Sequence, residues 1–249
     1  MKVIKKEIKK LIKKFGYELK KLEKKEESHF LGCSQPYLEN PEAGPVNWEE
    51  KEKRFKEGGP FEWPNMIALS QTVVSVLGNA KRILEVGSGT GCFAWHAAMN
   101  KSRFIVASEL DDKVREWAMK NRSAENIEYV SQWLNEFEAD SFDLVVAIEL
   151  IEHIKDYSTF LKELSRVAPR AIITTPNKNR DEQSAKASPP KYYQHVREWA
   201  AGEFYWVLEV FYKDVELYAM PNVNVPYCVP INITSRMTPL VAVCKTLYD

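Results

Sequence analysis

The sequence predicts an α/β domain built on a mostly parallel sheet. Short apolar runs alternate with amphipathic segments along most of the chain, which is the pattern of repeated strand and helix units. A turn with three glycines follows the first of these apolar runs. With 249 residues, of which 45% are hydrophobic, the chain can bury a complete α/β core.

Seven apolar runs are predicted as strands. They cover residues 83–86, 103–108, 126–130, 142–147, 170–175, 214–219 and 239–245. Helices are predicted over 65–77, 112–121, 157–167 and 200–211, and a short helical segment follows the glycine turn. Pro176 ends the fifth strand, and a polar insertion over 177–191 separates it from the last helix.

The N-terminal quarter has a different character. Residues 1–28 hold 11 Lys against 5 Glu, with apolar residues at three- and four-residue steps, which predicts a basic amphipathic helix. Such a helix can lie on an anionic membrane, bind a partner, pack on its own domain or extend into solvent. Residues 29–64 are rich in Pro, Gly and aromatic residues and predict a cap or loop segment. The main domain is then expected over residues 65–249.

Composition narrows the class of protein. The formal net charge is zero, so a specific nucleic-acid partner is not expected. The four cysteines show no paired spacing, which favours a reducing, cytoplasmic location without zinc or disulfides. No apolar run of membrane-spanning length and no signal peptide is visible, so peripheral membrane contact would fall to the N-terminal helix.

The glycine turn indicates a nucleotide-like ligand. Residues 85–91 read Glu-Val-Gly-Ser-Gly-Thr-Gly, directly after a predicted strand and before a helix. Cys92 stands where the dinucleotide fingerprint needs Gly or Ala, and no Lys-Ser/Thr pair of a P-loop follows. The stretch resembles motif I of class I S-adenosylmethionine-dependent methyltransferases. That resemblance implies a Rossmann-like, doubly wound sheet of seven strands whose last pair forms an antiparallel edge. It also implies S-adenosylmethionine as cofactor, contacted by Glu85, Gly87, Ser88, Gly89 and Gly91.

A carboxylate stands at the end of the second predicted strand. Glu109 lies 18 residues after Gly91, near the offset at which an acidic side chain binds ribose hydroxyls. Glu109 is therefore expected to bind the ribose, with Leu110 beside it, while Asp111 is expected to cap the following helix.

A longer stretch narrows the resemblance. Residues 141–146, Ser-Phe-Asp-Leu-Val-Val, followed by Glu-Leu-Ile-Glu-His at 149–153, resemble the ubiquinone-biosynthesis-type O-methyltransferases. Ile148 and Glu149 are then expected to border the methyl group. The short segment 10–17 resembles N-termini of bacterial methyltransferases of surface-polysaccharide clusters. After the third strand the usual acidic residue is missing; Gln132 and Trp133 stand there, and Trp133 would stack on adenine or close the pocket.

Glu149, Glu152, His153 and the distant His195 form the candidate catalytic set. If the segment around Glu152 is helical, the spacing places Glu149, Glu152 and His153 on one face. The pattern resembles the metal-binding residues of small-RNA 3′-end 2′-O-methyltransferases, and two carboxylates with two imidazoles suit Mg²⁺ or Mn²⁺. In the alternative, His153 is a base without metal, and activity would fall as the pH drops through about 6.5. A purely structural role is the third interpretation.

Taken together, these residues predict an S-adenosylmethionine-dependent O-methyltransferase. The expected acceptor is a sugar hydroxyl of a surface-glycan precursor, with Glu152, His153 and His195 at the acceptor oxygen. Three alternatives stay open: a quinol or small aromatic acceptor, an RNA 3′ end, and a non-catalytic scaffold that only binds the cofactor.

Overall fold

A computed structural model describes residues 64–246, apart from residues 189, 191 and 193. The expected basic helix over 1–28 and the expected cap segment over 29–64, except its last residue, lie outside the described residues and stay predictions. The described residues form one mixed sheet of eight strands with helices on both faces.

The elements agree closely with the predicted ones. The strands are β1 Arg82–Val86, β2 Phe104–Ser108, β3 Ile127–Val130, β4 Leu144–Ala147, β5 Arg170–Thr175, β6 Asp214–Ala219, β7 Val229–Pro230 and β8 Leu240–Lys245. The helices are α1 Pro64–Ser75, α2 Cys92–Ala97, α3 Asp112–Asn121, α4 Tyr157–Val167, α5 Glu182–Lys186 and α6 Ala201–Leu208. Three 3₁₀ turns cover Leu134–Glu136, Ile151–His153 and Lys178–Arg180. None of the helices in the described part of the chain has the length and apolar character needed to cross a membrane.

The strand order is β3-β2-β1-β4-β5-β8-β6-β7. Strands β1 to β5 pair in parallel, whereas β8 runs antiparallel to both β5 and β6. This confirms the Rossmann-like, mostly parallel sheet with an antiparallel edge. The two-residue strand β7 was not predicted, because its pairing with the end of β6 leaves no periodic pattern in so short a segment.

The core lies in two layers on either side of the sheet. Successive strand residues point to opposite faces, so Ile83 packs in the layer of α1 and α2 while Leu84 packs in the layer of α4 and α6. Both side chains are fully buried, as are all four residues of β4. Burial on both faces explains why the central strands read as continuous apolar runs.

The helices begin and end where local chemistry requires it. Asp111 caps α3 and accepts hydrogen bonds from the backbone N–H groups of Lys113 and Val114, which confirms the predicted cap. Asp156 caps α4 through the Thr159 N–H, and α4 ends at Val167, two residues before a proline. The buried residues of α4 recur at helical spacing and face the sheet.

Glu85 is a carboxyl group inside the core. Its side chain is 3% exposed, and its Oε2 accepts a hydrogen bond of 3.2 Å from the Ala94 N–H at the start of α2. Burial raises the pKa of Glu85 well above its usual value, and the bond from Ala94 opposes this only in part. The bond joins β1 to the first turns of α2 and thereby holds the ends of the glycine turn between them.

Replacing Glu85 with glutamine should therefore make stability less dependent on pH. The folded protein holds the Glu85 proton to a higher pH than the unfolded chain, so the free energy of unfolding falls as pH rises above about 4.5. Glutamine keeps an acceptor for Ala94 without a titrating proton. Urea unfolding at pH 5.5 and pH 8 should show Glu85→Gln gaining stability relative to wild type at the higher pH. The exposed strand residue Glu128, changed to glutamine, is the control, and equal shifts in both variants would contradict the assignment.

Candidate active site

The three glycines of the turn share a positive φ but differ in what a side chain would contact. Gly87, Gly89 and Gly91 all have positive φ, at 68°, 52° and 74°. A Cβ at Gly91 would lie 2.9 Å from a ring carbon of Tyr129, and one at Gly87 would lie 3.1 Å from the Leu150 side chain. A Cβ at Gly89 would meet no atom of the described residues within 4 Å. Only Gly89 therefore borders open space of the kind that a ligand occupies.

Ser88 and Glu109 provide polar groups beside that space. Ser88 is buried, and its Oγ has no hydrogen-bond partner among the residues that the structure describes. Glu109 accepts hydrogen bonds from the N–H groups of Gly89, at 2.8 Å, and Asp111, at 2.9 Å. These bonds bring the Glu109 carboxylate to the glycine turn, as the ribose assignment requires. Burial raises the pKa of Glu109. The orphaned hydroxyl, the open space at Gly89 and the placed carboxylate fit a nucleoside cofactor.

Gln132 and Trp133, the residues expected to contact adenine, differ in their burial. Trp133 is 4% exposed and stacks on Phe160 with ring centroids 6.2 Å apart, so it packs in the core. Gln132 is half-buried, and its carbonyl accepts a hydrogen bond from the Ser108 hydroxyl. Leu110 is half-buried at the edge of the same core layer. Of Gln132 and Trp133, Gln132 is the more exposed residue, and its contact with adenine stays a prediction.

The segment after β4 is not one helix, which corrects the expected placement of Glu149. Only Ile151–His153 form a 3₁₀ turn, and Glu149 precedes it with φ of 48°. The Glu149 N–H donates to Thr174 Oγ1, which in turn donates to Glu149 Oε1, whereas Glu152 Oε2 accepts from Thr175 Oγ1. Neighbouring strand residues point to opposite faces, so the two threonines hold the two glutamates apart. Ile148 is half-buried beside Glu149.

Glu152, His153 and His195 do come together as predicted. One ligand atom from each lies within 4.8 Å of the others, and the imidazole centroids are 4.9 Å apart. His153 Nδ1 lies 2.9 Å from the Gln194 carbonyl oxygen, and the Val196 N–H donates to the Glu152 carbonyl oxygen. These backbone bonds tie the loop that carries His195 to the 3₁₀ turn. Glu152 is 1% exposed, and in the described part of the chain its Oε1 has no hydrogen-bond partner.

Burial disfavours the charged forms of the ionisable groups at the cluster. Burial raises the pKa of Glu149 to about 7 and that of Glu152 well above its usual value, where the charge of Glu149 adds to the effect. Burial also lowers the pKa of His153 to about 4, with a contribution from His195, and lowers the pKa of His195. Both imidazoles are therefore neutral at physiological pH.

A cavity of about 280 Å³ opens beside the cluster. Its walls combine polar groups of Glu149, Arg180 and His195 with apolar surface of Met66, Leu69 and Val223. Sequence reasoning did not find Arg180 or its partner Glu198, which also bonds to His195. The only sequence signal was the three-residue spacing from His195 to Glu198.

Comparison with known proteins agrees with this geometry. Residues 84–171 match the family model described as a methyltransferase domain. The matched stretch runs from β1 to the start of β5 and contains the glycine turn and Glu109, so this part of the chain is similar to a methyltransferase domain. The chain is also similar to a ubiquinone biosynthesis O-methyltransferase of Neisseria meningitidis, at 30% identity over 125 residues. That match covers 47% of this chain and 48% of the relative, so the chain spans about half the length of the relative it matches.

Solved structures share the methyltransferase fold. The methyltransferase domain of bacterial CtHen1 superposes with a TM-score of 0.56 at 23% identity, covering 73% of this chain and 99% of that domain. The N-terminal domain of EvdMO1, solved in the presence of S-adenosylhomocysteine and D-fucose, superposes with a TM-score of 0.52 at 18% identity. This second match covers 81% of this chain and 97% of the other.

Glu109→Ala should weaken binding of S-adenosylhomocysteine. Loss of charge-assisted hydrogen bonds worth about 1.5–3 kcal/mol corresponds to a roughly 10- to 100-fold higher Kd. Calorimetric titration measures the change, and Glu116→Ala, an exposed carboxylate on α3, is the matched control. Equal affinity of wild type and Glu109→Ala would refute the ribose assignment.

Proposed function

We propose that this protein is an S-adenosylmethionine-dependent O-methyltransferase that methylates a sugar hydroxyl with the help of a divalent cation held by Glu152, His153 and His195. One observation carries the proposal: a carboxylate and two imidazoles from separate segments, those of Glu152, His153 and His195, bring one ligand atom each within 4.8 Å of the others, and His195 lines the cavity. The Mg²⁺ or Mn²⁺ ion remains a proposal, as does the participation of Glu149, whose Oε1 is engaged by Thr174.

The hydrogen-bond partners fix which imidazole atoms are free. The Gln194 carbonyl can only accept, so His153 Nδ1 carries the proton that it donates. His195 Nδ1 lies 2.8 Å from a Glu198 carboxylate oxygen and donates in the same way. In the neutral form each His then has a lone pair on Nε2, and Glu152 Oε1, which has no hydrogen-bond partner among the described residues, adds a third donor atom. Imidazole with carboxylate suits Mn²⁺ or Mg²⁺, and a bound cation would favour the deprotonated form of the carboxyl group.

Methyl transfer needs mainly alignment and removal of one proton. The carbon–sulfur bond of the cofactor breaks as the carbon–oxygen bond forms, so the hydroxyl must lie in line with the sulfonium. The glycine turn and Glu109 would hold the nucleoside, and Ile148 with Glu149 would border the methyl group. A bound cation would orient the acceptor hydroxyl and lower its pKa, so that its proton could pass to water. Residues Glu152, His153 and His195 would then face the acceptor oxygen.

Several features favour a sugar as the acceptor. The cavity wall is mixed, with carboxylate, guanidinium and imidazole beside aliphatic side chains, which suits a polyol with apolar ring faces. Two neighbouring hydroxyls of a sugar could share one cation. The similar EvdMO1 domain was solved with S-adenosylhomocysteine and D-fucose. The formal net charge of zero argues against an RNA acceptor, although the fold is shared with CtHen1.

A quinol acceptor is the second candidate function. It is favoured by the 30% identity to the ubiquinone biosynthesis O-methyltransferase over about half of that protein. In this candidate His153 Nε2 would accept the hydroxyl proton without a metal. A non-catalytic scaffold would bind S-adenosylhomocysteine and turn over neither acceptor.

Chelation should abolish turnover of a sugar acceptor with paired hydroxyls, and added Mn²⁺ or Mg²⁺ should restore it. His195→Ala should lower kcat/KM by more than the roughly 10- to 100-fold typical of groups outside a ligand shell. Its affinity for S-adenosylhomocysteine should stay within about twofold, because His195 faces the acceptor cavity. His96→Ala on α2 is the control histidine. Full activity in EDTA would overturn the metal proposal, and turnover of quinols alone would select the second candidate.

The pH profile of the chelated enzyme provides a separate test. Because burial lowers the pKa of His153 to about 4, a metal-free His153 base would stay neutral far below the 6.5 expected for an unperturbed imidazole. Activity in EDTA would then persist to about pH 5 and fall only as the pH approaches 4. The metal-dependent mechanism instead predicts no activity in EDTA at any pH between 5 and 8.

A further inference from the structure

Glu198 lies between the Arg180 guanidinium and the His195 imidazole of the candidate site. Its Oε1 is 2.8 Å from His195 Nδ1, and Arg180 donates from Nη1 to Oε2 at 2.8 Å and from Nη2 to Oε1 at 3.2 Å. The Glu198 side chain is 3% exposed, against 25% for Arg180 and 10% for His195. The carboxylate is therefore held from two sides and has almost no contact with solvent.

The loops that carry these residues are joined by backbone bonds. The Lys178 N–H donates to the Trp199 carbonyl oxygen at 2.8 Å, and Arg180 Nη1 also donates to the Asn177 carbonyl oxygen. Asn177 is fully buried, and its amide group donates to the Ser235 carbonyl oxygen at 2.8 Å. The segment that carries Glu198 is thus held in place by hydrogen bonds to buried neighbouring segments.

We propose that Glu198 is a positioning residue that keeps His195 in the tautomer with the proton on Nδ1, and that Arg180 orients Glu198 for this role. A carboxylate paired with a guanidinium only accepts hydrogen bonds, so His195 Nδ1 must donate and the lone pair stays on Nε2. The role of this lone pair as a metal ligand rests on the proposed function. The tautomer itself does not, because the hydrogen bond exists without any metal.

Glutamine at position 198 discriminates this role from simple packing. Glu198→Gln keeps the shape of the side chain but leaves one acceptor oxygen between donors on two sides. With the oxygen toward Arg180, the amide N–H₂ faces His195 Nδ1, which must then accept and move its proton to Nε2. The charge of Arg180 favours that orientation, and the Nε2 lone pair is lost.

The tautomer can be read in the metal-free full-length protein by ¹⁵N-detected imidazole NMR, since the chain has only four histidines. Wild type should show His195 as the Nδ1–H form, and Glu198→Gln should populate the Nε2–H form. Mn²⁺ titration should show affinity about 10- to 100-fold weaker in the variant. Affinity for S-adenosylhomocysteine should stay within about twofold.

A second substitution should rescue the first. In Arg180→Gln/Glu198→Gln the cationic competitor is gone, so the amide oxygen can turn to His195, and the Nδ1–H form and part of the Mn²⁺ affinity should return. If each substitution acted only by disturbing the local structure, their effects on Mn²⁺ affinity would instead add, and the double variant would bind Mn²⁺ more weakly than Glu198→Gln. Glu203→Gln is the matched control, since Glu203 accepts a hydrogen bond only from the nearby Ala200 N–H in the described contacts.

The outcomes separate the two proposals. An unchanged tautomer in Glu198→Gln, or no recovery in the double variant, would overturn the positioning role. An altered tautomer with recovery, in a protein whose wild type binds no Mn²⁺, would support the positioning role and overturn the metal proposal instead.

Discussion

Parallel pairing of β1 with both β2 and β4 is the constraint on which the site depends. Strand β1 lies between them, and the chain leaves all three strands at the same edge of the sheet. The glycine turn, Glu109 and the Glu149 segment follow these strands in turn, so residues far apart in sequence meet there. This is the crevice in which doubly wound sheets bind ligands, where the strand order reverses.

The second feature is the amount of ionisable chemistry placed in buried surroundings. Glu85, Glu152 and Glu198 are each no more than 5% exposed. Burying a charged carboxylate costs free energy, and the three side chains differ in how this cost is offset. Glu85 retains its proton to higher pH, and Glu198 is paired with a guanidinium. Glu152 has one oxygen without a hydrogen-bond partner in the residues described by the structure. An unsatisfied buried carboxylate oxygen is costly in a fold, and it is expected where a ligand supplies the missing interaction.

The end of strand β5 positions two of the candidate catalytic glutamates. Its last two residues, Thr174 and Thr175, bond to Glu149 and Glu152, and its continuation leads to Arg180. Strand β5 is held on one side by β4 and on the other by the antiparallel β8. The Glu152, His153 and His195 cluster is thus connected to the centre of the sheet, while the glycine turn and Glu109 follow β1 and β2.

The sequence by itself determined most of the elements, though not α5 or β7, and it placed the candidate cofactor residues directly after β1 and β2. Apolar runs located seven of the eight strands, and the glycine turn, the Asp111 cap and the placement of Glu109 follow from short-range backbone and capping chemistry. Only the tertiary structure decided the acceptor half. The separation of Glu149 from Glu152 depends on two threonines more than 20 residues away, and the Arg180–Glu198–His195 chain joins two loops. Spacing along a chain reports which residues share a local element, whereas contacts between loops depend on how the sheet brings their ends together.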